Sequence, residues 1–260
     1  MATRYPDRSG PRGFGAFSGS GAPPPRDVVL LLAAVFVTFS MQFFESTAPA
    51  PALLRLTPAV LSGFVWQLVT YPFIGAGGAS IWFLLELFVL FWFGRDVFWR
   101  LGRRRFWRLI LVAAVVAAAV ALLTHVLMGL AGGESTAPFI TMQGHRMLIT
   151  ILIAAFATLY GEATILLFFV LPLKARWFLW LEILAAFVFG LLPHKDLAGF
   201  LGVCTAVLVV YTSLRSGGLK RGFHDWRKWL ERLILERRLA RLRRRRRFEV
   251  VDGGREEIIH

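Results

Sequence analysis

The chain has 260 residues, 57% of them hydrophobic and 14% aromatic, and a formal net charge of +14. Apolar content this high, with charge gathered at both ends and in one central block, excludes a soluble globular domain and marks a polytopic membrane protein. The single cysteine, Cys204, excludes an internal disulfide and a cysteine-built metal site, and no cofactor or metal is expected.

Residues 1–26 are rich in Gly, Pro, Ser and Arg and cannot bury enough apolar surface to order themselves, so they read as a disordered cytoplasmic tail. Val28 to Phe44 is an apolar run just long enough to span a bilayer. The charged region before it is too long for a cleaved signal peptide, which favours a retained first helix. Residues 45–78 combine prolines, a G-A-G-G stretch and the aromatics Trp66, Tyr71 and Phe73, the composition of an interfacial loop. Ser80 to Phe93 forms a second segment containing Glu86, short unless its start is sunk below the surface. Between Arg95 and Arg108 lie six arginines and one acid, Asp96. Trp107 to Ala131, carrying His125, then Met147 to Tyr160, Trp177 to Leu192 and Leu197 to Tyr211 supply four more helices.

Six spans between residues 27 and 213 put all but three of the 30 basic residues on one side, the exceptions being Arg55, Arg146 and Lys195. That bias predicts an all-α bundle of six transmembrane helices with both termini cytoplasmic. The compact, basic architecture is read here as that of a bacterial inner membrane protein. The same topology places Glu86, His125, His145, Arg146, His194 and Asp196 in the outer half of the membrane, where ionisable groups imply a cavity or a buried network.

Five landmarks occur in order: V-W-Q-L-V-T-Y-P-F (65–73), L-F-W-F-G-R-D (90–96), L-G-R-R-R-F (101–106), L-F-F-V-L-P-L-K-A-R-W (167–177) and D-L-A-G-F-L-G (196–202). Together they resemble the landmarks of the rhomboid intramembrane proteases, over roughly residues 28 to 213. The resemblance implies a six-helix rhomboid-like fold with a G-x-S-G serine opening the fourth span and an H-x-x-G histidine on the sixth. Counting back from the 167–177 landmark, G-x-S-G falls on Gly144, His145, Arg146 and Met147, so Arg146 stands at the serine position. Asp196 stands at the histidine position, with Gly199 and Gly202 retained. The family's oxyanion-stabilising pair on the second span falls on Trp82 and Glu86, and a glutamate there would oppose a developing negative charge. No serine occurs from Ala137 to Thr212, so no small shift in register restores a nucleophile. The resemblance therefore implies a pseudoprotease with no catalytic residues.

Arg146 and Asp196, facing each other across the former active site, are expected to form a salt bridge, with Glu86 and His125 as second partners and His145 and His194 as further members of the polar network. Small residues on the last span, Ala198, Gly202 and Ala206, suggest close helix contact, answered by Ala154, Ala155 and Ala157 on the fourth. Residues 214–260 read as a basic amphipathic cytoplasmic tail. Its apolar positions recur at helical spacing and it ends in Arg243, Arg244, Arg245, Arg246 and Arg247, a composition suited to anionic lipid of the inner leaflet. Base-stacking aromatics are absent among these arginines, so nucleic acid is not expected. The favoured function is non-catalytic recognition or escort of other transmembrane proteins. The alternatives are an intramembrane protease with an unrecognised catalytic arrangement and a small transporter using the intramembrane polar residues.

Overall fold

The computed structural model describes residues 24–78, 80–132, 139–167 and 171–215. The expected N-terminal tail up to residue 23 and nearly all of the expected basic C-terminal tail, Arg243 to Arg247 included, lie outside the described residues.

Helix α1, Arg26–Met41, begins directly after Pro25, whose extended backbone serves as its cap. Asp27 in its first turn complements the helix dipole. Its carboxylate accepts a hydrogen bond from the Trp107 indole (3.1 Å) and pairs with Arg103 (3.0 Å). The start of α1 is thereby tied to the start of α5, which defines a basic end of the bundle.

Two short helices, α2 (Pro49–Leu54) and α3 (Gln67–Thr70), lie in the aromatic loop that follows. Gln67 stitches them together, its Oε1 accepting from the Thr57 amide and hydroxyl and its Nε2 donating to the Leu53 carbonyl. Tyr71 is fully buried, and its phenol donates to the Ala114 carbonyl at 3.0 Å. Burial pushes the phenol's pKa well up, so it remains a neutral donor.

Helix α4, Ile81–Leu101, is capped by the Ser80 hydroxyl, which accepts from the Trp82 amide. It runs eight residues beyond the expected end at Phe93, because the charges that suggested a stop are harmless there. Arg95 is exposed and pairs with Asp96 at 3.5 Å, while Gly94 is buried between Val28 of α1 and Leu152 of α6. Gly102, at φ +74°, turns the chain into α5, Arg103–Leu130.

Helix α6, His145–Leu159, is the central element, buried along most of its length and in contact with α4, α5, α7 and α9. At ~1.5 Å per residue its 15 residues reach only about 22 Å, less than a bilayer core. Strands β1 (Thr164–Leu167) and β2 (Leu171–Lys174) form an antiparallel pair back at the basic end, where Glu162 meets Lys174 and Arg176. Helix α7, Trp177–Ala186, continues through a π-helical turn, Phe187–Leu191, into α8, Leu192–His194. Helix α9, Leu197–Arg215, closes the described chain.

Among the described residues, three helical stretches are long and apolar enough to cross a membrane: Arg103–Leu130, Trp177–His194 and Leu197–Arg215. The protein is thus a mostly helical membrane protein, with one short strand pair among the described residues. Helix α9 packs on α6, as expected, and more extensively still on α5. The reason is steric: Ala113, Ala114, Ala117, Ala118 and Ala121 give α5 a longer smooth face than α6 offers.

A side chain at Gly202 has no room, since its Cβ would sit 2.6 Å from the Met142 sulfur and 3.2 Å from Ala121. Gly129 on α5 faces open space. Gly202→Leu should cost ~1–3 kcal/mol through overpacking, lowering the thermal midpoint followed by circular dichroism in micelles. Gly129→Leu should leave the midpoint unchanged or slightly raised.

Candidate functional site

Asp196 sits in the tight connection between α8 and α9 and is completely buried. Its Oδ1 accepts from the amides of Gly199 (2.8 Å) and Phe139 (3.0 Å). Its Oδ2 accepts from the Thr141 hydroxyl (2.8 Å) and amide (3.2 Å). The bond to Gly199 is a helix N-cap; the other three fasten the segment before α6 to the start of α9. The two non-glycine residues with positive φ among the described residues, Phe139 (64°) and Lys195 (50°), flank these bonds. Such left-handed conformations cost on the order of 1 kcal/mol each, an outlay that the four bonds offset. Gly199 and Gly190 are required beside them, because a Cβ at either would overlap the Thr141 hydroxyl, and at Gly199 the Asp196 carboxylate as well.

The expected Arg146–Asp196 bridge is not formed. A carboxylate has about four acceptor sites, and all of those on Asp196 are taken by nearby donors. Arg146 turns instead to α4, its Nε lying 3.7 Å from Glu86, with 55% of its side chain exposed.

Glu86 has a closer partner in His145. The G-H-R-M turn places that imidazole at zero exposure: Gly144 adopts φ +62° against the Ile74 carbonyl, and the His145 amide donates to the same carbonyl at 2.8 Å. The Ala76 amide donates to Nδ1 at 3.3 Å. Nδ1 is therefore the unprotonated nitrogen, and Nε2 carries the proton it donates to Glu86 Oε2 at 2.7 Å. This tautomer is assigned from the bonding pattern. Glu86 is thus held between a buried histidine and a half-exposed arginine.

The remaining expected residues fall into separate places. Trp82 is 68% exposed, one turn before Glu86. His125 packs its ring against Phe139 (5.4 Å between centroids) and is not the second partner expected for the bridge. The reason is the same loop: Phe139, pinned by Asp196, covers it. His194 lines the cavity described next. Among the described residues no three His, Cys, Asp or Glu side chains converge in a metal-binding arrangement.

Helices α4 and α7 each pack on α6 and scarcely touch one another. Between them opens a cavity of about 1080 Å³, lined by Trp82, Glu86, Arg146, Thr150, Glu182 and Phe189 among others. Its flanks are strongly apolar and uncovered, Trp82 at 68% and Phe189 at 73% exposure. Glu182 of α7 enters it and accepts a hydrogen bond from the Thr150 hydroxyl of α6 at 2.9 Å. Thr141 and Thr150 were not visible as functional in the sequence. The capping role of Asp196 had a signal, an aspartate directly before an apolar helical run.

The architecture and the intramembrane polar cleft define an integral membrane protein of helical class. Residues 29–216 match the family described as "Eukaryotic integral membrane protein (DUF1751)", and the chain belongs to that family. Among curated proteins none matches. The family is eukaryotic, which overturns the expectation of a bacterial inner membrane. A compact basic architecture reports the sidedness of insertion, not the kind of cell, because positive charge is retained on the cytoplasmic side in both.

Since Arg146 and Asp196 share no partner, their substitutions should be additive. Asp196→Ala leaves several buried donors unpaired and should cost ~2–5 kcal/mol. Arg146→Ala should cost under ~1 kcal/mol, and the double variant should equal the sum within ~0.5 kcal/mol. Detergent-denaturation curves of the four proteins measure this cycle, and a coupling well above that margin would restore the bridge.

Proposed function

We propose that the protein is a six-span, rhomboid-like membrane protein without protease activity that recognises or escorts other transmembrane proteins through the cleft between α4 and α7. The observation that supports this reading is the cleft between α4 and α7 beside a site where, among the described residues, Asp196 and His145 are fully engaged by hydrogen bonds. A rhomboid-type reaction needs a hydroxyl and a general base within hydrogen-bond reach of it. Arg146 cannot act as a nucleophile, and the oxygens of Asp196 are saturated. The His145 imidazole has both nitrogens engaged. Glu86 sits where an oxyanion would otherwise be stabilised, and its negative charge favours the opposite polarity.

A helix about 10 Å wide fills roughly 400 Å³ per turn, so the cleft has the volume of two to three turns. That size suits the side chains of a partner helix lying against α4 and α7. Only 17% of the Trp177–His194 stretch is buried, which leaves α7 with most of its surface available to a partner.

The expected outcome in liposomes is no cleavage of a transmembrane test substrate by the wild type, Arg146→Ala or Asp196→Ala, and no ion or solute flux. A photo-crosslinking residue at Phe189 should trap a co-expressed single-span protein, while one at Leu123, on α5 and away from the cleft, should not. Cleavage by the wild type would return the protein to the proteases, and flux lost in Glu86→Gln would make it a transporter. Equal trapping from Phe189 and Leu123 would remove the cleft from the proposal.

A further inference from the structure

The cleft contains one carboxyl group that no cation meets among the described residues. Glu86 is neutralised locally by Arg146 and hydrogen-bonded by His145. Glu182, on the opposite wall, accepts only the Thr150 hydroxyl, and among the described residues it forms no ion pair. It lies five residues into α7, about 8 Å from the start of that helix, and just beyond the exposed Trp177 and Trp180. Such tryptophans mark the level of the membrane interface. A carboxylate slightly deeper than that level is costly unless a donor or a cation meets it. Acyl chains filling the cleft supply neither.

We propose that Glu182 is the recognition element of the cleft and selects partner transmembrane segments that carry a lysine or arginine one to two turns inside the same end of their span. This rests on the client-capture reading above and specifies the chemistry of the client. A long basic side chain from a helix lying against α4 and α7 enters between them and places its cation on Glu182. Thr150 orients the carboxylate from behind, as a positioning residue. The Leu85 and Val89 side chains of α4, which also line the cavity, provide apolar contact for the methylene stem. The fold has already buried the carboxyl group, so the added desolvation cost of forming the pair falls mainly on the partner. Glu86 does not compete for this cation, since its own charge is engaged.

The test uses the full-length protein in liposomes and synthetic single-span peptides of about 20 leucines and alanines. Each peptide carries a photoreactive diazirine and, one and a half turns inside the end matching the basic end of the bundle, Lys, Leu or Glu. The lysine peptide should cross-link to the walls of the cleft about tenfold more than the leucine peptide at equal loading. Glu182→Gln should reduce the lysine peptide to the leucine level while keeping the fold, because the amide oxygen still accepts the Thr150 hydroxyl. Glu182→Lys should reverse the order, favouring the glutamate peptide. Equal cross-linking of lysine and leucine peptides in the wild type overturns charge selection but leaves client capture standing. A lysine preference that survives Glu182→Gln overturns the assignment to Glu182. Absence of all three peptides from the cleft overturns client capture and this inference together.

Discussion

Four hydrogen bonds converge on one buried carboxylate, and the end of the bundle opposite the basic one is organised by them. Asp196 caps α9, holds the segment that enters α6 and compels two residues into left-handed backbone. That segment in turn presents Thr141 to Gly190, in the π-helical turn of α7. Extra residues in a helix are a common device where a helix must bend around a site, and here the turn lies beside the cleft. The position of α7, and with it the width of the opening toward α4, depends on this fastening. In a membrane no water is available to replace a lost bond, so such a fastening must be complete to be stable.

A second constraint acts one helix away. His145 is wholly buried, yet both its ring nitrogens are satisfied, by the Ala76 amide and by Glu86. The backbone that makes this arrangement possible is unusual only at Gly144, where a side chain would strike the Ile74 carbonyl. The G-H-R-M turn thereby joins the aromatic loop, α4 and α6 without using Arg146, which stays half exposed at the cavity wall. Asp196 and His145 are both committed to holding structure. Glu182, by contrast, is reached among the described residues by a single hydroxyl.

Much of the fold was legible because its causes are local. The starts of α7 at Trp177 and α9 at Leu197 follow from where the apolar runs begin, while α1 ends three residues before the expected Phe44 and α5 starts four residues before the expected Trp107. The end of α4 was not legible, because Arg95 and Asp96 pair with one another and Gly94 is wanted by α1 and α6. The small residues of α9 announced its contact with α6 but not the larger one with α5, which depends on the long alanine face that α5 presents once the helices are assembled.

The sequence by itself determined the membrane class, the main helical segments and the charged residues of the cleft and its surroundings, though not Thr141 and Thr150. It did so because hydropathy and charge bias are properties of residues in order. Only the tertiary structure decided the pairing: Asp196 with backbone amides rather than with Arg146, Glu86 with His145, and Glu182 with Thr150 alone. Opposite charge suggests partners, but a carboxylate bonds to whichever donors the fold brings within about 3 Å. Those donors were backbone groups, which every residue carries and no sequence motif distinguishes.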